Sequence, residues 1–347
     1  MTGPPPQTPS RLGVIDEIFL LTHRGFGTPI ALQGLWRTDE PLPSDVLADV
    51  HARLSHGTLG RRVVTSAVPG ARPRWVAAQA AHPLELVDTP VAADDISDFA
   101  QRNLPDLNPE TGPGWHVRAA PLRGGGTLAV LTCSHVLCDA RGLIDAVDRV
   151  LAGKPEPVLA EPDSNWRDAR RTWRRITTGT TLRASGHENE PVPAARPKTA
   201  PARTAIITCP AAQWDTAANV RDGTPNSLFV AVVVNVLASA TGSAEPVSVG
   251  LPIDTRESES GGNSITMGAA TIAPRETLAV VRERCRTAYD RPLGNPPGRP
   301  AEWLHVLPNR IAHAASRGAG EREVLCSNIG TLPDSVAQLG SHRASGL

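Results

Sequence analysis

Two periodicities alternate along the first half of the chain. The segments "IALQGLWRT" (30–38) and "RVVTSAV" (62–68) are short runs rich in β-branched and aromatic residues, and they predict strands. Between them Val46, Leu47, Val50 and Leu54 recur at helical spacing behind Ser44, a residue suited to an N-cap. "RWVAAQA" and "LELVDT" predict two further short strands, and "DDISDFAQRNL" predicts a helix with acids in its first turn. "HVRAAPLR", the turn "GGG" and "TLAVLTCSH" then make a hairpin, followed by a helix over "ARGLIDAVDRVLAG" that Gly153 closes.

The pattern breaks between 152 and 203, where Pro, Ala and charge dominate, as in a linker or crossover. Inside it "NWRDARRTWRRI" predicts a short helix carrying Arg167, Arg170, Arg171, Arg174 and Arg175. It reads either as an anionic docking patch for a phosphopantetheine or acidic carrier, or as a solvated helix packed by Trp166 and Trp173. The second is the commoner meaning of such a charge run.

Periodicity resumes with a predicted strand, "RTAIITCP". In "TPNSLFVAVVVNVLASATG", Thr224 or Asn226 can cap a helix that Gly242 ends, and its all-round apolarity predicts central burial. "PVSVGLPIDTR", "ITMGAATIA" and "EREVLCSNIG" predict strands, and "PRETLAVVRERCRTAYD" a helix with Pro in its first turn. The expected organisation is a disordered tail at 1–10, an N-terminal lobe at 11–151, a linker at 152–203 and a C-terminal lobe at 204–347. The class is α/β with mixed sheets.

Composition narrows the function. Of 347 residues 40% are hydrophobic and only 3% aromatic, so aliphatic side chains fill the core. Lys+Arg and Asp+Glu both number 35, which argues against a bulk nucleic-acid or membrane-surface role. The cysteines (133, 138, 209, 285 and 326) form no CxxC pair and read as reduced cytosolic thiols. "MTGPPPQTPS" lacks the basic and apolar regions of a signal peptide, and no apolar run reaches the roughly 18–20 residues of a membrane span. The expected location is the cytoplasm.

The candidate chemistry sits where "LAVLTCSHVLCDARG" passes from strand to helix. Strand alternation turns Ser134 and His135 to opposite faces, so they cannot form a nucleophile–base pair with each other. No GxSxG elbow occurs, and no further ligands gather at metal spacing around His135, Cys133 and Cys138. A single imidazole at a strand end remains, usable as a general base near neutral pH.

"SHVLCDARG" resembles the HHxxxDG motif of thioester-dependent acyltransferases: chloramphenicol acetyltransferase, nonribosomal-peptide condensation domains, wax ester synthase/diacylglycerol acyltransferases and polyketide-associated acyltransferases. Further segments are similar to that superfamily in the right order. "RLGVIDEIFLL" looks like its opening, "GPGWHVRAAPLRGGG" like the strand leading into its histidine, and "TPNSLFVAVVVNVLA" like its Asn-initiated central helix. "VGLPIDTRESESGGNSIT" and "CSNIG" resemble its Pro-x-Asp-x-Arg…Gly-Asn and Ser-Asn segments.

The resemblance implies two chloramphenicol-acetyltransferase-like lobes in a V, with His135 in a central channel. It implies no bound cofactor or metal, an acyl-CoA or acyl-carrier-protein (phosphopantetheine) thioester as co-substrate, and a small alcohol or amine as acceptor. His135 would be the base. Asp139 would be structural, paired with an arginine of its own lobe, Arg62 first and Arg61 second. Ser134, Ala140, Gly142, Asn263, Ser327 and Asn328 would line the channel or bridge the lobes. Ser134 stands where the motif has its first histidine, and Ala140 where it has glycine. The C-terminal lobe lacks the superfamily's later strands, so an unpaired edge is expected, covered by an oligomer or a partner. A non-catalytic relative that binds an acyl carrier or partner enzyme is the alternative function.

Overall fold

The computed structural model describes residues 7–179, 204–256, 262–293, 301–316 and 322–346. The first part of the chain forms β1 (Gln7–Thr8), α1 (Val14–His23), β2 (Ala31–Arg37), α2 (Ser44–Leu54), β3 (Arg61–Val64), β4 (Arg74–Ala77) and β5 (Glu85–Leu86). It continues through α3 (Ile96–Gln101), β6 (Trp115–Pro121), β7 (Thr127–Ser134), α4 (Ala140–Ala152), β8 (Val158–Leu159) and α5 (Asn165–Gly179). The main sheet runs β2-β7-β6-β5, with β7 antiparallel to both its neighbours. Every residue of β7 is buried, which explains its unbroken apolar run: it is a central strand covered on both faces. Ala129, Leu131 and Cys133 enter the larger core beside Leu47, Leu143 and Val147. Leu128 and Val130 enter a smaller one with Ile96 and Ala100.

The second part holds α6 (Ala211–Asn219), α7 (Pro225–Thr241), β9 (Val247–Asp254), β10 (Ile265–Ile272), α8 (Leu278–Asp290), α9 (Asn309–Ser316) and β11 (Val324–Leu325). Its sheet runs β10-β9-β11, and its core is separate, built by Val230, Val234, Val249, Leu251, Ile272 and Val281. Thr224 caps α7 by accepting the Ser227 N–H at 3.1 Å, and Gly242 ends it at φ 68°. The mixed α/β class and the two-lobed arrangement are therefore as expected.

Four expectations need correction. Residues 204–210 of "RTAIITCP" form no strand, and Ile207 is 91% exposed, because among the described residues no neighbouring strand offers it a ladder. Helix α7 is not central: Val230 is fully buried while Val236 is 62% exposed, since α8 and the sheet cover only one side.

The lobe boundaries also shift. Gln7 and Thr8 pair in parallel with Val158 and Leu159, so the tail is ordered from there, while 1–6 lie outside the described residues. The expected linker begins with that pairing and with α5, whose Asp168 accepts from Arg72 of the N-terminal lobe at 2.7 Å; 180–203 lie outside the described residues.

Finally, the chain's end does not stay in the C-terminal lobe. β12 (Gln338–Leu339) and β13 (His342–Arg343) form a small hairpin, and Val336 and Leu339 complete the N-terminal core. The Trp36 indole N–H donates to the Val336 carbonyl at 2.7 Å, which satisfies a donor that would otherwise be stranded in that core.

Candidate active site

β7 ends on Ser134 because its two neighbours end with it: Ala31 of β2 lies opposite Ser134, and Trp115 of β6 opposite Cys133. Past that point the Ser134 N–H donates to Gly114 O at 2.7 Å and the His135 N–H to Ile30 O at 2.9 Å. The chain then turns, with the Leu137 N–H bonded back to Ser134 O at 3.0 Å, and enters α4 through Asp139. His135 is thus carried by a rigid sheet edge.

Alternation predicted opposite faces for Ser134 and His135, yet both meet α1. The His135 ring stacks on Phe19 at 3.8 Å between centroids, and Ser134 Oγ lies 2.8 Å from Nε2 of His23. The alternation lapses because His135 is already in the turn. Ser134 is 1% exposed, so its pairing with His23 fastens helix to sheet rather than presenting a nucleophile.

Asn263, from the loop before β10, reaches across to this turn. Its Nδ2 donates to the His135 carbonyl at 2.8 Å, the Val136 carbonyl at 3.3 Å and Asp16 Oδ1 at 2.8 Å. All these partners are acceptors, so the amide oxygen must face the remaining neighbour, His135 Nδ1, at 3.1 Å. The donor–acceptor pattern therefore assigns the proton to Nδ1 and leaves a lone pair on Nε2. Burial pushes the imidazole below its ordinary range, against the opposing effects of its backbone, Asn263 and Asp139. A neutral ring with a bare Nε2 can accept a proton.

Asp139 caps α4 by accepting the Gly142 N–H at 2.8 Å. It also accepts the Ser264 N–H at 2.8 Å and is bridged by Arg256 Nη2 at 2.8 Å. Its partner is thus an arginine of the other lobe, and the expectation of Arg62 is wrong. Arg62 lies on the two-stranded β3–β4 ribbon, in register with Val76. Arg61 is buried, donating to Leu137 O at 2.5 Å with its guanidinium 4.2 Å over the Trp75 ring. Arg256 closes the quoted "PIDTR", so its motif was visible although its partner was not.

Of the other candidates, Gly142 is a contact point between lobes: a Cβ there would stand 2.9 Å from Gly262 O and 2.9 Å from Cys138 Cβ. Ala140 is the half-buried first residue of α4. Ser327 and Asn328 are exposed and not joined to His135; Asn328 Nδ2 donates to Asn226 Oδ1 at 3.1 Å, within the C-terminal lobe. Sequence reasoning missed Asp16 and Phe19, although a carboxylate within the apolar stripe of "VIDEIFLL" was a usable signal. Among the described residues no group of three or more His, Cys, Asp or Glu could hold a metal, and no helix is long and apolar enough to cross a membrane.

The fold recurs in solved structures. The first condensation domain of the CDA synthetase matches with a TM-score of 0.60 at 18% identity, covering 96% of this chain and 82% of that one. The chain has the condensation-domain fold. TRI101 of F. sporotrichioides, solved with coenzyme A and T-2, matches with a TM-score of 0.57 at 13% identity, covering 97% and 87%. The X-domain from teicoplanin biosynthesis matches at 0.51 and 16% identity, covering 96% and 81%. No protein-family model matches the sequence, and no curated protein does. At such identities the condensation-domain likeness concerns the fold, and function is argued from the site.

Proposed function

We propose that this protein is an acyltransferase that moves an acyl group from a CoA or carrier-protein thioester to a hydroxyl or amine, with His135 as general base. The observation that supports the reading is the hydrogen-bond pattern at the ring: Nδ1 lies 3.1 Å from Asn263 Oδ1, and Nε2 makes no hydrogen bond among the described residues. Nε2 accepts the acceptor's proton as its oxygen or nitrogen bonds to the thioester carbonyl carbon. The tetrahedral intermediate collapses, the C–S bond breaks, and the same proton passes to the departing thiolate. The thioester is already activated, so no acyl-enzyme is required. Base action of this kind accounts for about 10²–10⁴-fold.

Ser134 and Ala140, in place of the motif's histidine and glycine, favour the alternative of a non-catalytic carrier-binding protein. Free-thiol release with varied acyl-CoAs and acceptors separates the two readings. His135→Ala should lose about 10²-fold or more in turnover while keeping its melting temperature and donor affinity. Equal rates in the two forms would leave His135 a structural histidine and support the binding protein.

A further inference from the structure

We propose that Asp16 is a positioning residue that acts through Asn263 to decide which nitrogen of His135 carries the proton. The inference rests on the reading of His135 as the base and deepens it. Asp16 is 7% exposed and uses both carboxylate oxygens as acceptors. Oδ2 takes the Gly13 N–H at 2.8 Å, the ordinary cap at the start of α1. Oδ1 takes Asn263 Nδ2 at 2.8 Å, from 247 residues away in the other lobe. A carboxylate can accept on both sides, whereas an amide of the same shape cannot. Burial pushes the Asp16 carboxyl up, and its bonds to Asn263 and Gly13 and the positive charge of buried Arg61 oppose that shift.

An asparagine side chain fits its site nearly as well with nitrogen and oxygen exchanged, so something must hold it one way round. Two of the three acceptors on Asn263 are backbone carbonyls; the third, Asp16, is charged, and charge-assisted bonds are roughly twice as strong. With Asn at position 16, an NH₂ can face the NH₂ of Asn263. Turning Asn263 over relieves that conflict, at the cost of setting its oxygen against the His135 and Val136 carbonyls, and points its NH₂ at His135 Nδ1. Nδ1 then accepts, the proton moves to Nε2 through solvent with no net gain or loss, and the basic lone pair no longer faces the reaction.

The test reads the tautomer directly, from ¹⁵N spectra of protein labelled at histidine, with His135 assigned by comparison with H135Q. The unaltered chain should show a protonated Nδ1 and a bare Nε2. In D16N and in N263A the Nε2–H tautomer should gain population, and kcat should fall about 10-fold or more with KM for the acyl donor within about twofold. D16N/N263A should match N263A alone, because Asp16 acts through Asn263. A folded D16N that keeps the original tautomer overturns the proposal. So does an unchanged tautomer in N263A, and so does a D16N chain that cannot fold, which would make Asp16 purely structural. Full turnover in H135A beside the expected tautomer shifts would remove the base reading alone.

Discussion

Arg256 Nη2 lies 2.8 Å from each carboxylate oxygen of Asp139, joining the two lobes across 117 positions of sequence. The two side chains are 6% and 4% exposed, so the pair is withdrawn from water. Asp139→Ala takes the acceptor from the Ser264 and Gly142 N–H groups and one partner from Arg256, which keeps Asp254 Oδ1 at 3.1 Å and Gly262 O at 3.0 Å, at a cost of up to about 3–5 kcal/mol. Urea denaturation should show that loss as a lower midpoint. Replacing both partners, as in D139A/R256M, should recover part of it, because no buried charge is then stranded. An unchanged midpoint in D139A would show that the clamp contributes nothing.

Gly142 and Ala140 should behave oppositely. Gly142→Ala drives a methyl against Cys138 Cβ and Gly262 O, each 2.9 Å from the new carbon. Overpacking of this kind costs about 1–3 kcal/mol, and by pushing the 262–264 segment away it should also lower turnover. Ala140→Gly restores the glycine of the acyltransferase motif at a half-buried helix start and should cost no more than about 1 kcal/mol. Melting temperatures and thiol-release rates of the two variants check the contrast.

The rate should rise with pH through an ionisation below the ordinary imidazole value of about 6.5, because burial holds His135 down. Stability follows the same proton. The unfolded chain binds it more readily than the folded one, so this contribution is whole above about pH 6.5 and is lost as pH falls through the folded value. His23 and His116, also lowered by burial, act in the same direction. Denaturation midpoints measured across that range should fall with acid, less steeply in H135Q. A rate that rises only above pH 8 would place the essential base elsewhere.

One thiol should react quickly in the native protein. Cys209 is exposed, whereas Cys133, Cys138, Cys285 and Cys326 are buried. Burial also pushes the Cys285 and Cys326 thiols up to about 11, which withholds the reactive thiolate. Titration with a chromogenic disulfide should give a single fast equivalent that Cys209→Ser removes. A second fast equivalent in C209S would mean that one of the cores opens readily.

Much of the N-terminal lobe was legible because its elements follow local rules. The apolar run of β7 announces a central strand, the "GGG" turn fits a hairpin with Pro121 opposite Thr127, and Gly153 ends α4 at φ 63°. The C-terminal lobe was less legible. "RTAIITCP" has strand composition, yet a strand exists only where another strand can share its hydrogen bonds. Helix α7 has apolar residues all round, and pattern cannot say which side a neighbour will cover.

The candidate site divides along the same line. By itself the sequence predicted a strand over "TLAVLTCSH" and a helix from Ala140, which the structure realises as Thr127–Ser134 and Ala140–Ala152, because strand pairing, turn and cap are interactions between near neighbours or adjacent strands. Only the tertiary structure decided that Asp139 would take Arg256 rather than Arg62, and that Asn263 and Asp16 would together orient the imidazole. Those contacts span 117, 128 and 247 positions. At such separations no local periodicity couples the residues. What joins them is the docking of one lobe on the other, and the demand that each polar group buried there find a partner.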